Sequence, residues 1–248
     1  MRVLVVAPHA DDETLGAGGA IARYASEGHE VVVAVMTGPG EGEHPVLPRS
    51  TWEIVRPEAR RACAVLGVKE LIFRELPAVL VPDEPRWRLN RETQAVIDQV
   101  RPEVLFVPFA FDLHGDHRDI FHSLSVAWRP TSEVGRGIRE IYAYEVPSET
   151  HWNAAYLEPG FLPNVFIDIS EHLGTKLEAL ACYESQLGDF PYARSLEAVE
   201  ALARVRGAQV GMHAAEGFVL IRRLDSLAPP GENAADRHAA VPRDEAGH

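Results

Sequence analysis

Short apolar segments alternate with longer segments of helical periodicity along the first two-thirds of this chain of 248 residues. Such alternation is typical of an α/β fold with a mainly parallel sheet. No linker interrupts it, so we expect one Rossmann-like domain over residues 1–227, with helices on both faces of the sheet and a small C-terminal helix and strand extension. The predicted strands are residues 3–7, 31–36, 70–74, 104–107 and 139–145.

The predicted helices follow from apolar spacing and from residues that end helices. An apolar stripe runs through residues 17–25, and Gly28 stands where a C-cap is expected. Further helices are predicted at residues 52–66, 89–100 and 173–181, and a late strand at 218–221.

Charge and hydropathy exclude several classes of protein. The chain carries 24 Lys and Arg against 37 Asp and Glu, a net charge of −13, and no basic stripe, which argues against nucleic acid as a partner. The longest apolar runs are far shorter than the roughly 18 residues of a membrane span. The first run ends at Pro8, too early for a signal peptide, so we expect a cytoplasmic protein. Cys63 and Cys182 lack any ligand spacing and are expected to be buried free thiols.

Three segments are irregular in composition. Residues 37–50 are rich in Gly, Pro and Glu and follow a strand end, so we predict a mobile flap over a binding site. Residues 147–164 carry Trp152, Tyr156 and Phe161, and they either wall a pocket or pack as a surface loop. Residues 228–248 have no apolar period and are predicted to be a disordered tail.

Two clusters of ionisable residues follow two of the predicted strands. Pro8-His9-Ala10-Asp11-Asp12-Glu13 comes directly after the first strand, and Asp112-Leu113-His114-Gly115-Asp116-His117 follows the strand at 104–107. Charged groups of this density need water, a partner or a metal. Because parallel strands end at the same edge of a doubly wound sheet, we expect the two clusters to meet.

The combined residues favour a catalytic metal site. Two imidazoles and one carboxylate suit zinc, with positions left for water or substrate, and iron(II) accepts the same set. His9, His114 and His117 stand out because they share strand ends with unpaired carboxylates. Seven of the other histidines are interpreted as surface or hydrogen-bonded residues: His29, His44, His122, His151, His172, His238 and His248.

The segment VVAPHADDETLGAGG at residues 5–19, followed by HGDH at 114–117, resembles the LmbE/PIG-L family of zinc-dependent N-acetylglucosaminyl deacetylases. Weaker similarities extend the resemblance over roughly residues 1–223. The resemblance implies that His9, Asp12 and His117 bind zinc, that Asp11 is the general base, and that His114 stabilises the charged intermediate. It also implies a small N-acyl sugar as substrate and allows a homo-oligomer, since relatives often form trimers or hexamers.

The sequence departs from the family pattern at three places. Ala10 replaces the usual Pro between His and Asp, and Gly115 stands where Pro is common. The Arg that commonly precedes the Glu of the second helix by three positions would fall on Val55. Its neighbour Arg56 is therefore the candidate for contacting the sugar.

The residues meet the requirements of amide hydrolysis. A bound metal would lower the pKa of water and polarise the amide carbonyl. Asp11 would take a proton from the water and return it to the leaving amine, while His114 faces the oxyanion. We therefore predict a metal-dependent hydrolase that removes an N-acetyl or other N-acyl group from a GlcNAc-type glycoside.

Four alternatives remain open. A thiol conjugate or a larger acylated glycoside would serve the same amidase chemistry. A noncatalytic, metal-dependent sugar-binding protein would have no use for Asp11. Gly16-Ala17-Gly18-Gly19 invites a dinucleotide site, but the spacing is not Gly-x-Gly-x-x-Gly and acidic groups stand where phosphates would lie. An iron oxygenase is disfavoured because such sites usually occur on all-β barrels.

Overall fold

The computed structural model describes residues 1–225, in which seven strands form one sheet. In chain order they are β1 (Arg2–Ala7), β2 (Glu30–Gly38), β3 (Glu70–Pro77), β4 (Val104–Val107), β5 (Glu140–Tyr144), β6 (Val165–Asp168) and β7 (Ala215–Arg223). Their order in space is β3-β2-β1-β4-β5-β7-β6. The first five strands are parallel, whereas β7 is antiparallel to both β5 and β6.

Helices cover both faces of the sheet. They are α1 (Asp12–Ser26), α2 (Ser50–Val65), α3 (Arg86–Val100), α4 (Gly115–Ala127), α5 (Glu133–Gly137), α6 (Pro147–Thr150), α7 (Leu173–Ala181) and α8 (Leu196–Ala208), with one 3₁₀ turn at Val81–Asp83. Within residues 1–225, none of these helices has the length and hydropathy needed to cross a membrane. The predicted α/β fold with a mainly parallel sheet is confirmed.

Alternate side chains of β1 enter two separate cores. Val3 and Val5 pack into the core formed with α1, α2 and α7, whereas Leu4 and Val6 pack into the core formed with α3 and α4. All four side chains are fully buried. A parallel strand covered on both faces is expected to be apolar throughout, which is why this run is so clear in the sequence.

The strand order reverses between β1 and β4. From β1 the chain builds outward through β2 and β3, and from β4 it builds in the other direction through β5. In open α/β sheets, ligands bind beyond the carboxyl ends of the strands at such a switch point. The loops after β1 and β4 carry the two ionisable clusters, so the topology brings these clusters together.

The C-terminal extension continues the sheet instead of forming a separate layer. Strand β7 inserts between β5 and β6, which completes seven strands. The sequence analysis missed β6, whose first three residues are apolar (Val165-Phe166-Ile167) but whose four residues are all only partly buried. Helices α4, α5, α6 and α8 were also not predicted, and α6 begins the segment 147–164 that was expected to be irregular. The predicted tail at 228–248 lies outside the described residues.

Two other expectations need correction. Thr37 and Gly38 belong to β2 and not to the loop, because the Thr37 amide and hydroxyl both donate to the Pro8 carbonyl, at 3.1 and 2.8 Å. Cys63 and Cys182 are both free, as predicted. Cys63 is buried, but Cys182 is partly exposed because it lies at the C-terminal end of α7.

Candidate active site

The turn after β1 presents the first cluster. Asp11 has φ 120°, a backbone conformation that L residues rarely adopt and that stores strain. Its carbonyl accepts the amides of Thr14 and Leu15, at 3.0 and 2.9 Å, and so begins α1. The amide of Asp11 donates to buried Glu13 at 3.1 Å. Glu13 thus serves to hold the strained turn.

The second cluster begins α4. His114 is the N-cap of this helix, and its Nδ1 accepts the Asp116 amide at 3.1 Å. A Cβ at Gly115 would lie 2.8 Å from Cγ of Pro82. The close approach of Pro82 therefore explains why this chain has Gly where its resemblance predicts Pro.

Three predicted metal ligands converge at the edge of the sheet: the candidate ligand atoms of His9, Asp12 and His117 lie within 4.8 Å of one another. Asp12 Oδ2 is 3.1 Å from His117 Nε2 and 3.4 Å from His9 Nδ1. His117 Nε2 and Asp12 Oδ1 are buried without a hydrogen-bond partner. Orphaned buried polar atoms are costly unless something binds them. This donor set fits a divalent ion such as zinc.

Two further carboxylates orient the histidines. His117 Nδ1 donates to Asp112 at 2.8 Å, and the Thr150 hydroxyl donates to the same carboxylate at 2.6 Å. His9 Nε2 donates to Asp116 at 3.0 Å. Metal-binding histidines commonly use their second nitrogen in this way, which fixes the tautomer and ring orientation.

His9, His114 and Asp116 form a second group with ligand-like spacing. The carboxylate of Asp116, however, already accepts the amides of Val79 at 2.7 Å and Val81 at 3.2 Å. Because both of its oxygens are engaged, Asp116 supports His9 and does not offer a second metal site.

Electrostatics at the triad favour a cation. Burial alone would raise the pKa of Asp12, but His117 and His9 hold it well below its ordinary value. Burial opposes charge on His117, yet Asp12 and Asp112 raise its pKa well above the ordinary value. The negative charge that retains a proton on His117 also attracts a divalent ion.

Asp11 lies beside the triad without belonging to it. Its Oδ2 accepts Arg194 Nη1 at 2.9 Å, while its Oδ1 is buried and has no partner. Burial raises the pKa of Asp11 to about 7, although the Arg194 guanidinium opposes this shift and the Asp12 and Glu13 carboxylates reinforce it. A carboxyl group with a pKa in this range suits general acid and base catalysis near neutral pH.

His114 is poised as a neutral donor. Burial and the neighbouring His9 lower the pKa of His114. Because its Nδ1 accepts a backbone amide, the proton of the neutral ring is on Nε2. The ring centroid of His114 is 4.7 Å from that of His9, and His114 lines the same cavity as Asp11.

A cavity of about 210 Å³ opens over these residues. Arg56 and Val55 both line it, so the candidate sugar-contacting residue does reach the site. The Arg56 guanidinium donates to Glu75 at 2.7 Å and lies over the Phe73 ring. The remaining lining residues are His9, Ala10, Asp11, Val35, Thr37, Leu47, Thr51, Trp52, Phe73, Ala78, Val79, His114, Gln186 and Arg194.

The two irregular segments contribute differently. Leu47 of the predicted flap lines the cavity, which supports its position over the site, while its mobility stays a prediction. In the 147–164 segment, Trp152 and Tyr156 are exposed and Phe161 packs on Phe109, so these aromatic residues do not wall the cavity.

The glycines after the first cluster serve packing. A Cβ at Gly16 would lie 2.2 Å from the Tyr144 ring, and a Cβ at Gly19 would lie 2.6 Å from Ile169. Both glycines therefore allow α1 to approach its neighbours closely. Because packing accounts for these glycines, they no longer support the alternative of a dinucleotide site.

Arg194 was missed by the sequence analysis. It lies in the loop between α7 and α8, far along the chain from both clusters and without a local motif. Asp112 and Asp116 belong to the predicted second cluster, but the sequence did not assign them a role. The histidines interpreted as non-ligands and described by the structure lie outside the triad; His151, for example, donates to Glu145 at 2.7 Å.

Comparison with known proteins identifies the family. A family model described as GlcNAc-PI de-N-acetylase (PIG-L) matches residues 4–128. A protein of Actinosynnema mirum described as 1D-myo-inositol 2-acetamido-2-deoxy-alpha-D-glucopyranoside deacetylase is 30% identical, covering 75% of this chain and 81% of that protein. The chain belongs to the PIG-L family. The resemblance found in the sequence is thereby confirmed.

Other relatives of this PIG-L protein differ in what they are described as doing. A diacetylchitobiose deacetylase of Thermococcus kodakarensis is 26% identical, covering 88% of this chain and 82% of that protein. The crystal structure of GalB, a 4-carboxy-2-hydroxymuconate hydratase of Pseudomonas putida KT2440, superposes with a TM-score of 0.71 at 22% identity, covering 92% of this chain and 99% of that one. Because the fold is shared with a hydratase, the reaction must be argued from the site.

Proposed function

We propose that this protein is a zinc-dependent N-deacetylase acting on a GlcNAc-type glycoside. The observation that carries the proposal is that His9, one of three clustered candidate metal ligands, lines the same cavity as Asp11, whose Oδ1 is unpartnered, and His114. The relatives described as deacetylases of N-acetylated sugars support the same reaction. A cytoplasmic location and a trimeric or hexameric assembly stay predictions.

Each site residue has one task. His9, Asp12 and His117 would hold the ion, which when bound supplies a Lewis acid that activates water and polarises the amide carbonyl. Asp11 takes the proton of the attacking water on Oδ1 and returns it to the leaving amine nitrogen. His114 donates its Nε2 proton in a hydrogen bond to the developing oxyanion.

The lining of the cavity bears on the substrate. Apolar side chains of Val35, Leu47 and Phe73 line it together with the Trp52 ring and the Arg56 guanidinium. Aromatic and aliphatic walls with a few polar groups are common in sites for small organic ligands. The acyl group and aglycone are therefore to be found by a screen of amine release over N-acetylglucosamine conjugates, with larger acylated glycosides and thiol conjugates included.

Metal analysis tests the ligand assignment. Ala substitution of His9, Asp12 or His117 should lower metal content, with zinc and iron(II) compared as the added ion. His151→Ala is the matched control, because this imidazole also bonds a buried carboxylate, that of Glu145, outside the triad. Full metal occupancy in all three triad variants would overturn the assignment.

Turnover separates an enzyme from a sugar-binding protein. Asp11→Asn keeps the size of the side chain but removes the basic oxygen, so kcat should fall roughly 10²- to 10⁴-fold with metal and substrate affinity retained. His114→Ala should lower kcat about 10²- to 10³-fold with metal retained. A wild-type protein that binds N-acetylglucosaminides without releasing acetate would refute the deacetylase and favour the sugar-binding alternative.

A further inference from the structure

Arg194 joins the first cluster to helix α6. Its Nη1 donates to Asp11 Oδ2 at 2.9 Å, its Nε donates to the Ser148 hydroxyl at 3.0 Å, and its Nη2 donates to Glu149 Oε1 at 3.2 Å. The side chain is 20% exposed, so most of it is shielded from water. A guanidinium donates in a fixed planar fork, so three partners define its orientation.

The charge of Arg194 is already matched inside the protein. Two carboxylates, those of Asp11 and Glu149, each lie within 3.2 Å of a guanidinium nitrogen. An anionic substrate group would have to compete with both of them. The contacts thus indicate that Arg194 binds side chains of the protein and does not recognise an anionic substrate group.

The two oxygens of Asp11 have different surroundings. Oδ2 is bound by Arg194, while Oδ1 is buried and has no hydrogen-bond partner. Two torsion angles, χ1 and χ2, set the direction of the carboxylate. When the position of Oδ2 is fixed, the position of Oδ1 is therefore defined as well. The strained backbone of Asp11, with φ 120°, directs this side chain and would not by itself fix its rotation.

We propose that Arg194 is a positioning residue, which holds Asp11 Oδ2 so that Oδ1 faces the water whose proton it accepts. The inference rests on the proposed function, in which Asp11 is the general base. Arg194 does not touch the reacting atoms in this role, and it acts through Asp11 alone. It thereby adds a residue from the α7–α8 loop to a site otherwise built from strand ends.

The same residue also reaches the second cluster indirectly. Glu149, which Arg194 binds, accepts the Leu113 amide on its backbone carbonyl at 2.9 Å. Leu113 directly precedes His114. The Leu113 contact is made by the backbone of Glu149 and not by Arg194 itself, so the effect of Arg194 on kcat is still expected to pass through Asp11.

A double-mutant cycle tests the proposal. Arg194→Met should lower kcat about 10- to 100-fold, the typical cost of a misplaced catalytic group, with KM changed less than about threefold and zinc content unchanged. In the Asp11→Asn background, Arg194→Met should cause no further loss, because the group through which it acts is already gone. Guanidinium ion added to Arg194→Ala should restore part of the lost kcat.

Arg206→Met is the matched control. Arg206 binds buried Glu145 through Nε and Nη2, at 2.7 and 2.6 Å, and does not line the cavity. This variant should lose stability and keep kcat. The comparison therefore distinguishes the general effect of removing a buried arginine from the loss of Asp11 positioning. If Arg194→Met does not fold, Arg194→Lys takes its place in the cycle, with a smaller loss of kcat expected.

Four outcomes would overturn the proposal. Losses that multiply in the cycle, or a large rise in KM, would mean that Arg194 acts on the substrate directly. Loss of zinc from Arg194→Met would mean that it supports the triad. An unchanged kcat would remove any role for it. Failure of the proposed function is distinguishable, because then Asp11→Asn itself would turn over like the wild type.

Discussion

Gly16 on α1 offers a sharp test of how closely this helix must approach the sheet. A Cβ at this position would lie 2.2 Å from Cδ2 and 2.8 Å from Cγ of Tyr144. The Tyr144 ring is fully buried, and its hydroxyl donates to the Val6 carbonyl at 2.8 Å. The ring therefore cannot move away without losing that bond, and Gly16→Ala forces either the ring or the helix to shift.

The expected loss follows from three contributions. Overpacking a close-packed core costs about 1–3 kcal/mol. Disturbing the Tyr144 hydroxyl bond costs about 1 kcal/mol more, while the higher helix propensity of Ala returns about 1 kcal/mol. Gly16→Ala should therefore lower the free energy of unfolding by roughly 1–3 kcal/mol, and each kcal/mol should lower Tm by about 2–4 °C for a chain of this size. Because α1 begins at Asp12, zinc affinity should fall as well.

Urea unfolding followed by circular dichroism in saturating zinc measures the loss, and a zinc titration measures the affinity. Gly174→Ala is the matched control, since Gly174 lies on exposed α7 surface with nothing within 4 Å of its would-be Cβ. That variant should gain about 0.5–1 kcal/mol, the usual advantage of Ala over Gly in a helix. If Gly16→Ala is as stable as the wild type or gains like the control, the close contact with Tyr144 is refuted.

Three further predictions concern groups that support the site or the fold. Asp112→Asn should lower zinc affinity about 10- to 100-fold, because it weakens the hydrogen bond that orients His117. Competition with a chelator measures the affinity, and an unchanged value would contradict this role of Asp112. Lys176→Met breaks a buried ion pair with Glu216 and should cost about 3–5 kcal/mol in urea unfolding, and combining it with Glu216→Gln should cost less than the two single losses together. Burial opposes ionisation of Glu145, but the His151 and Arg206 bonds hold its pKa below the ordinary 4.5, so the stabilisation by its charged form is present above that pH and lost as pH falls. Metal-free wild type should therefore lose more unfolding free energy than Glu145→Gln between about pH 6 and pH 3.5. Equal losses in the two proteins would contradict the lowered pKa.

Much of the site was predictable because strand ends in a parallel sheet share one edge. The run 3–7 is apolar throughout since β1 is buried on both faces, and the ionisable residues after it had to lie at its carboxyl end. Metal chemistry then followed from residue types. His9, Asp12 and His117 do lie together, whereas their roles rest on the proposals above.

What the sequence could not predict depends on contacts between distant segments. Arg194 reaches Asp11 across 183 positions of chain, and neither residue's neighbours signal the pairing. Strand β6 forms because β7 offers it an antiparallel partner, with Val165 opposite Phe218, although its own residues are only partly buried. Gly115 looked like a departure from the family pattern, and only the position of Pro82 explains it.

The distribution of hydrogen bonds among the buried carboxylates accounts for where an ion is needed. Most of the acids near the sheet edge have their own donors: Glu13 accepts the Tyr183 and Thr14 hydroxyls, Asp112 accepts His117 and Thr150, Asp116 accepts His9 and two amides, and Asp11 accepts Arg194. Asp12 differs in the position of its Oδ2, which accepts the His9 amide at 2.8 Å and lies between two imidazoles, while its Oδ1, like that of Asp11, has no partner. Arg194 already balances the charge of Asp11 with a fixed positive charge. The cation still required at Asp12 is therefore one that the neighbouring imidazole nitrogens can also bind. A divalent ion meets that requirement, which supports the proposed metal at Asp12 and the proposed proton transfer at Asp11.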